Sequence, residues 1–231
     1  MKSYIVASTK DWNKSQFLSA KKTFPGEWSL VTSPEELDQV LSRTKPEYVF
    51  FLHWGWHVPK RITSNYDSIC FHMTDLPFGR GGSPLQNLIT RGYGETLVSA
   101  SRMVDELDAG PIYTKQAVSL EGRAEEIYHR VGRVCFQLIE RIIREKLRPI
   151  AQEGEVVIFS RRSPAQSVLP DTGDLLDLYD HIRMLDAPTY PRSFIEYGDF
   201  VLEFHHAVLS EDNLEAQVSI RRRLSADENN E

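Results

Sequence analysis

One histidine and one aspartate in this sequence form a pair that is able to move protons. His72 follows a short apolar run at residues 68–71, and Asp108 follows a second strand-like run at residues 96–104. An imidazole beside a carboxylate takes up and releases a proton near neutral pH, which is general acid–base chemistry. The pattern therefore predicts an acid–base site where two neighbouring strands of one sheet end.

The residues after His72 predict a turn with an accessible backbone. Pro77 is followed by three closely spaced glycines, Gly79, Gly81 and Gly82. Glycine has no Cβ, so a polar ligand can approach the backbone of such a loop closely. The aspartate has its own turn signal, because a Gly-Pro pair follows it at residues 110–111. Both halves of the predicted site therefore lie in loops at strand ends.

The elements that must position this pair alternate between strand and helix signals. Apolar runs at residues 3–7, 28–31 and 48–53 are separated by helix starts, the clearest of which is Ser33-Pro34-Glu35-Glu36. This alternation predicts an α/β fold: an open, Rossmann-like, mostly parallel sheet with helices on both faces. In such sheets ligands bind beyond the carboxyl ends of the strands. The loop Ala7-Ser8-Thr9-Lys10 has no glycine, which argues against a nicotinamide site.

The predicted domain boundary follows the longest helix, which extends from residue 123 to about residue 148. Residues 1–153 are expected to form the catalytic domain. Residues 154–224 are expected to form a small C-terminal α+β unit, and residues 225–231 a polar, disordered tail.

Composition predicts a cytoplasmic protein. The chain has 231 residues, 41% of them hydrophobic and 26% charged, and a formal net charge of −6, which argues against a nucleic-acid partner. The two cysteines, Cys70 and Cys135, lie in apolar runs, as expected for free thiols in a reducing compartment. The sequence contains no long apolar span and no signal-peptide pattern, so no membrane association is expected.

The ordered motifs resemble the formyltransferases that use N10-formyltetrahydrofolate, a family acting on methionyl-tRNA, glycinamide ribonucleotide or amino sugars. His72 matches the histidine of the family's Asn-x-His motif. Leu76-Pro77, Arg80-Gly81 and Pro84 match the segment that follows it. Leu107-Asp108-Ala109-Gly110 matches the second family motif, Leu-Asp-x-Gly, and the separation of 36 positions between the histidine and the aspartate also fits.

The resemblance implies that His72 takes a proton from an attacking amine and donates to the developing oxyanion. Asp108 would orient His72 and raise its basicity, and neither a metal nor a covalent intermediate is needed. The folate pocket is expected to be lined by Leu52, His53, Trp54, Gly55, Met103, Val104, Asp105 and Leu107. The acceptor is expected to meet Phe78, Arg80, Gly81, Gly82 and Ser83, with Arg162 and Tyr190 from the C-terminal unit.

Cys70 departs from the family pattern, because it occupies the position of the family asparagine that is thought to stabilise the oxyanion. A thiol is a poor hydrogen-bond donor. A backbone N–H, His72 itself, Thr74 or Asn87 can take over that role, or catalysis has been lost. A nucleophilic role for Cys70 is also conceivable, since residues two apart on a strand face the same side, but the family chemistry does not require it.

The acceptor expected from the resemblance is the amine of a nucleotide-linked amino sugar, as in enzymes of the pseudaminic acid route. Formylation of an aminoacyl group on a carrier protein, or of another amine such as that of methionyl-tRNA, is the alternative. A non-catalytic folate-binding protein is a further alternative, motivated by Cys70. The resemblance also suggests a homodimer.

Overall fold

A computed structural model of the chain describes residues 1–188 and 190–223. The predicted polar tail, residues 225–231, and the last residue of the predicted C-terminal unit lie outside the described residues. No helix within the described ranges has both the length and the apolar character needed to span a bilayer.

The described elements alternate between strands and helices, as the sequence predicts. The strands are β1 (Ser3–Ala7), β2 (Glu27–Val31), β3 (Tyr48–Phe51), β4 (Ser68–His72), β5 (Phe78–Gly81), β6 (Glu95–Arg102), β7 (Ile112–Ser119), β8 (Val157–Phe159), β9 (Ser193–Tyr197), β10 (Phe200–Leu209) and β11 (Leu214–Arg222). The helices are α1 (Asp11–Ala20), α2 (Pro34–Leu41), α3 (Lys60–Asn65), α4 (Pro84–Ile89), α5 (Ala124–Glu145) and α6 (Leu175–Arg183), with a 3-10 turn at Pro164–Ser167.

The central sheet has the strand order β2-β1-β3-β4-β6-β7. The pairs β1–β2, β1–β3 and β3–β4 are parallel, which confirms the predicted α/β fold with a parallel-rich sheet. The pairs β4–β6 and β6–β7 are antiparallel. Residue Arg102, at the carboxyl end of β6, therefore pairs with Ile69 near the start of β4.

This antiparallel pairing corrects one step of the sequence argument. Asp108 follows β6, so it was expected at the carboxyl edge of the sheet beside His72. Because β6 runs against β4, its carboxyl end lies at the other end of β4, and Asp108 reaches the histidine through the loop at residues 103–111.

Local signals start and end several elements as predicted. Ser33 caps α2, where its hydroxyl accepts a hydrogen bond from the Glu36 N–H at 3.2 Å. The apolar stripe of the long helix α5 is buried, including Ile127, Leu138 and Ile142, and Cys135 lies in the same stripe. Three short elements, α3, β5 and β8, were not predicted, because segments of three to six residues are too short to show a hydrophobic period.

The chain divides into two compact units, each described here by itself. The first consists of Met1–Pro84, Glu95–Ser119 and Tyr128–Ser160, and it contains the central sheet and the β5–β8 pair. The second consists of Leu85–Gly94, Leu120–Ile127 and the residues from Arg161 onward. In the second unit, α6 packs against β10 of the antiparallel sheet β11-β10-β9.

Candidate active site

His72 is the last residue of β4, and its side chain is largely buried. Its Nε2 lies 2.7 Å from the carbonyl oxygen of Gly79. Because a carbonyl can only accept, Nε2 carries the proton of the neutral imidazole. The second ring nitrogen, Nδ1, therefore keeps its lone pair and is the atom that can act as a base.

Asp108 faces that basic nitrogen. Its Oδ2 lies 3.6 Å from the Nδ1 of His72, and both side chains are about 11% exposed. The same oxygen accepts a hydrogen bond from the backbone N–H of Gly81 at 3.0 Å. The carboxylate thus joins the two predicted halves of the site, and it lies where a proton on Nδ1 would be stabilised electrostatically.

Gln152 holds the site together through four hydrogen bonds, and the sequence analysis did not identify it. Its Nε2 donates to the carbonyl oxygens of Asp108 at 2.7 Å and Gly110 at 2.8 Å. Its Oε1 accepts from the Nη2 of Arg80 at 2.7 Å and from its Nε at 3.1 Å. Asp108 has a left-handed backbone with a φ of 54°, a conformation that aspartate adopts more readily than most residues other than glycine. Gln152 holds this turn in place, and no local sequence pattern identifies it.

The glycine-rich loop is tied to β8. Gly81 has a φ of 110°, and a Cβ at this position would lie 2.4 Å from the carbonyl oxygen of Phe159. That carbonyl accepts the N–H of Gly82 at 3.0 Å. Only glycine fits this close approach, which fixes the Gly81 N–H where it meets Asp108.

Arg80 and Ser83, two of the predicted acceptor residues, have defined positions in this loop. The guanidinium of Arg80 contacts Gln152 and donates to Glu106 at 3.0 Å, so it braces the site. Ser83 has a left-handed backbone with a φ of 48°. Phe78 packs edge-to-face on Phe159, with ring centroids 5.3 Å apart.

Cys70 lies in the middle of β4, opposite Ser101 of β6. Its Sγ is 3.2 Å from the Ser101 hydroxyl and 3.7 Å from the Ser101 carbonyl oxygen. Burial raises the pKa of the thiol to about 11. At pH 7 only about one thiol in ten thousand is then ionised, which argues against Cys70 as a nucleophile.

The two side chains considered as replacements for the family asparagine are both engaged. The Thr74 hydroxyl donates to the Gly79 carbonyl at 3.3 Å, the same carbonyl that His72 contacts. Asn87 belongs to the second unit, where its Oδ1 accepts from Arg91 at 2.9 Å. The Gly81 and Gly82 N–H groups are engaged as well, with Asp108 and with the Phe159 carbonyl, and the Nε2 of His72 is bonded to the Gly79 carbonyl. Each of these groups would have to exchange an existing hydrogen bond for one to the oxyanion.

The two loops predicted to enclose folate pack on one hydrophobic cluster of the first unit. Trp54 from the first loop and Met103 from the second both contact this cluster, as does Cys70. Lys60 and Asp105 form an ion pair with a 2.6 Å separation that links the second loop to α3. Leu52 is fully buried, Gly55 is exposed, and Val104 and Leu107 are 42% and 70% exposed.

His53, also predicted in the folate pocket, lies just after β3 with a φ of 48°. Its Nδ1 is 3.1 Å from the Nδ2 of Asn13, so this nitrogen accepts a hydrogen bond and the ring is neutral. Trp12 and Tyr128 meet the ring edge-to-face, with centroids 5.7 and 5.4 Å away. Burial and the nearby Lys10 lower the pKa of His53 to about 4.

Arg162 and Tyr190, predicted on the acceptor side, belong to the second unit. Arg162 donates through Nη2 to the carbonyl of Gln166, and the Tyr190 N–H donates to the carbonyl of Ala187 at 3.2 Å. Over residues 1–188 and 190–223, no three or more His, Cys, Asp or Glu side chains group to hold a metal ion.

Known proteins resemble this chain in both sequence and fold. A solved structure described as methionyl-tRNA formyltransferase from Clostridium thermocellum superposes with a TM-score of 0.93 and is 41% identical, covering 96% of this chain and 100% of the other. The chain belongs to the formyltransferase family. The family predicted from the motifs is thereby confirmed.

Other formyltransferases match over smaller fractions or at lower identity. A methionyl-tRNA formyltransferase of Lysinibacillus sphaericus is 31% identical over 175 residues, 72% of this chain and 56% of the relative. The chain thus spans little more than half the length of that curated relative. The model of the methionyl-tRNA formyltransferase C-terminal domain matches residues 164–221.

Two more distant structures share the fold. HypX from Aquifex aeolicus, solved in complex with tetrahydrofolic acid, is 16% identical with a TM-score of 0.73, covering 88% of this chain and 37% of HypX. A sugar N-formyltransferase from a Shewanella species is 17% identical with a TM-score of 0.64, covering 86% and 94%. The more similar proteins carry the methionyl-tRNA name, so the predicted sugar branch is not supported by them.

Proposed function

We propose that this formyltransferase moves a formyl group from N10-formyltetrahydrofolate to a primary amine, with His72 and Asp108 as its acid–base pair. The observation that carries the proposal is the approach of the Asp108 carboxylate to the basic nitrogen of His72, 3.6 Å away. Both residues were identified in the sequence 36 positions apart, and they meet only in the folded chain.

His72 performs the proton transfer. An amine that attacks a formyl carbon must lose a proton, and the Nδ1 of His72 is free to accept it while Nε2 stays bonded to the Gly79 carbonyl. The negative charge of Asp108, 3.6 Å from Nδ1, stabilises the imidazolium formed in this step, and the Gly81 N–H holds the carboxylate in place. The bond between the formyl carbon and N10 of the donor then breaks, and the proton passes from Nδ1 to the departing N10, which regenerates neutral His72.

The donor supplies the formyl group, and the loops around the pair fit a flat, partly apolar donor. Trp56, Val104 and Leu107 leave 47%, 42% and 70% of their surface exposed in the two predicted folate loops. Apolar side chains grouped in loops near reactive polar groups are typical of a small-molecule site. We therefore infer that the loops at residues 52–59 and 103–107 bind the pterin part of the donor.

The acceptor we favour is the amine of an aminoacyl group of the methionyl-tRNA type. Support comes from the name shared by the 41% identical structure and the 31% identical relative. This choice replaces the amino sugar predicted from the sequence, and the expectation that no nucleic acid is involved loses its support. The amino sugar is retained as a second candidate, because a sugar N-formyltransferase shares the fold over 86% of this chain.

Localisation in a reducing compartment is part of the same proposal. Both cysteines are free thiols, Cys70 half-buried and Cys135 buried. Free thiols are the usual state of cysteine in the cytoplasm.

A mass-spectrometric transfer assay tests the proposal. The protein is incubated with N10-formyltetrahydrofolate and, separately, with methionyl-tRNA, nucleotide-linked amino sugars or an aminoacyl carrier protein. The expected result is a single added formyl group on the aminoacyl-tRNA. A product on a sugar or on the carrier protein alone would replace the favoured acceptor and leave the chemistry intact.

Variants of the pair show whether this site carries the reaction. Asp108→Asn keeps the shape and removes the charge that stabilises the imidazolium, and His72→Ala removes the base. Loss of a general base typically lowers the rate by about 10²–10⁴-fold. Asp212→Asn, at an exposed loop position of the second unit, is the matched control and is expected to retain full activity. Near-normal rates in Asp108→Asn and His72→Ala would refute the site assignment.

A further inference from the structure

His72 belongs to a row of three polar side chains that crosses the central sheet. In the ladder between β4 and β6, His72 lies directly opposite Ser99, and in the ladder between β6 and β7, Ser99 lies directly opposite Lys115. Residues that are paired in this way direct their side chains to the same face of a sheet. His72, Ser99 and Lys115, all in the first unit, therefore share one face.

Ser99 and Lys115 both hold the turn that follows β4. The Ser99 hydroxyl donates to the carbonyl of Thr74 at 2.6 Å and accepts the N–H of Leu76 at 3.3 Å. The Nζ of Lys115 donates to the carbonyl of Leu76 and to the carboxylate of Asp75, each at 2.5 Å. Ser99 is fully buried, and hydrogen bonds shielded from water are strong. Together the two side chains fix three successive residues of the turn.

This turn ends at the carbonyl that decides which nitrogen of His72 carries the proton. The Gly79 carbonyl accepts from the Nε2 of His72 at 2.7 Å and from the Thr74 hydroxyl at 3.3 Å. A neutral imidazole carries its proton on the nitrogen that faces an acceptor, and the other nitrogen keeps the lone pair. If the carbonyl moved away, Nδ1 would be protonated for part of the time and could not then act as a base.

We propose that Ser99 and Lys115 are positioning residues for formyl transfer. By holding the turn at residues 74–79, they keep the proton of His72 on Nε2 and leave Nδ1 free to accept the proton of the amine. This role rests on the proposed function, because it affects the reaction only if His72 is the base. Since it changes the fraction of molecules that are ready to react, we expect an effect on kcat rather than on KM.

Nitrogen-15 NMR of protein labelled at histidine tests the tautomer directly. Spectra are recorded at about pH 8.5, where neutral imidazoles dominate, and the His72 signals are identified by their loss in His72→Gln. We expect the wild-type protein to show a protonated Nε2 and an unprotonated Nδ1. In Lys115→Met and in Ser99→Ala, both nitrogen signals are expected to move toward those of a mixture of the two tautomers.

Two variants that lose similar bonds elsewhere in the first unit are the matched controls, Lys2→Met and Ser68→Ala. Lys2 forms an ion pair with Glu47 at 2.6 Å, and the Ser68 hydroxyl donates to the carbonyl of Tyr66 at 3.2 Å. Both controls are expected to keep the wild-type signals of His72.

Steady-state kinetics give a second readout, with N10-formyltetrahydrofolate and the acceptor that the transfer assay identifies. Lys115→Met is expected to lower kcat about 10–100-fold and to leave both KM values within about twofold, because small displacements around reacting groups reduce the rate without removing a substrate contact. The side chain of Lys115 is 27% exposed on the outer strand β7, so a methionine there leaves the buried core intact. A raised KM with an unchanged kcat would overturn the positioning role.

The NMR measurement needs no turnover, so it separates this inference from the proposed function. A wild-type protein with His72 protonated on Nδ1 would refute the base assignment, and the positioning role with it. A wild-type protein with His72 protonated on Nε2, together with unchanged His72 signals in Lys115→Met and Ser99→Ala, would overturn the positioning role alone.

Discussion

Replacing Gly110 by alanine is expected to disrupt the aspartate half of the site. Gly110 is buried, and a Cβ at this position would lie 1.7 Å from the backbone carbonyl oxygen of Arg102. Carbon and oxygen normally approach to about 3.3 Å, so the two backbones must separate by about 1.5 Å. No rotation of a side chain can relieve this contact, because the position of the Cβ is fixed by the backbone and the atom it meets is a backbone oxygen.

The cost follows from the hydrogen bonds that such a separation breaks. The Arg102 N–H donates to the Pro111 carbonyl at 2.9 Å, and Gln152 donates to the Gly110 carbonyl at 2.8 Å. Each lost bond costs about 1 kcal/mol, and each buried group left without a partner costs about 1–3 kcal/mol. We therefore expect Gly110→Ala to lower the free energy of unfolding by about 3–5 kcal/mol, at the upper end for point mutations.

Urea unfolding followed by circular dichroism measures this loss. Gly94→Ala is the matched control, because nothing lies within 4 Å of its added Cβ and its φ is not in the left-handed range. Its free energy of unfolding is expected to stay within about 0.5 kcal/mol of wild type. A Gly110→Ala protein that loses less than about 1 kcal/mol, or no more than Gly94→Ala, would refute the packing argument.

Three further predictions concern residues in or near the site. Gln152→Glu keeps a partner for the neighbouring arginine but removes both donors that hold the Asp108 loop. The free energy of unfolding measured in urea should fall by about 2 kcal/mol, and the rate of formyl transfer should fall as well. A variant with wild-type stability and rate would show that Gln152 does not hold this loop. The pKa of His53 is about 4 in the folded chain, against an ordinary value of 6.5 in the unfolded chain. As the pH falls, the unfolded chain therefore binds this proton at a higher pH than the folded chain does. Stability should therefore fall between pH 6.5 and pH 4, by on the order of 3 kcal/mol, and urea titrations of His53→Gln should lack this component. Cys70, with a pKa of about 11 instead of 9.0, should be alkylated at pH 8 about 100-fold more slowly than an ordinary thiol, as mass spectrometry can follow; rapid modification would contradict its burial.

The sequence predicted the elements well wherever a local pattern carries the signal. The cap at Ser33, the buried stripe of α5 and the apolar run of β3 each depend on residues within a few positions of one another. Such local patterns predict the element correctly because the spacing of apolar residues matches the period of the helix or strand that forms. Short elements such as β8, with three residues, carry no period and were missed.

Local sequence patterns could not predict the direction of β6 in the sheet. An apolar run predicts a strand but not its neighbours or its direction, and the sequence argument placed Asp108 by assuming parallel order. Pairing with β4 is antiparallel, so the loop at residues 103–111 brings the carboxylate to His72. The sequence predicted that these two side chains lie close together, and they are 3.6 Å apart, but it did not predict the path of the chain that brings them there.

The sequence by itself determined the two motif residues, the family and the fold class, because residue type, spacing and hydrophobic period are local properties. Only the tertiary structure decided how the site is held. Gly81 and Gln152 form hydrogen bonds with Asp108 across 27 and 44 positions of sequence, and no pattern in the neighbouring residues predicts these contacts. Contacts between distant residues depend on how strands pair and loops close, and that is settled only when the whole core packs.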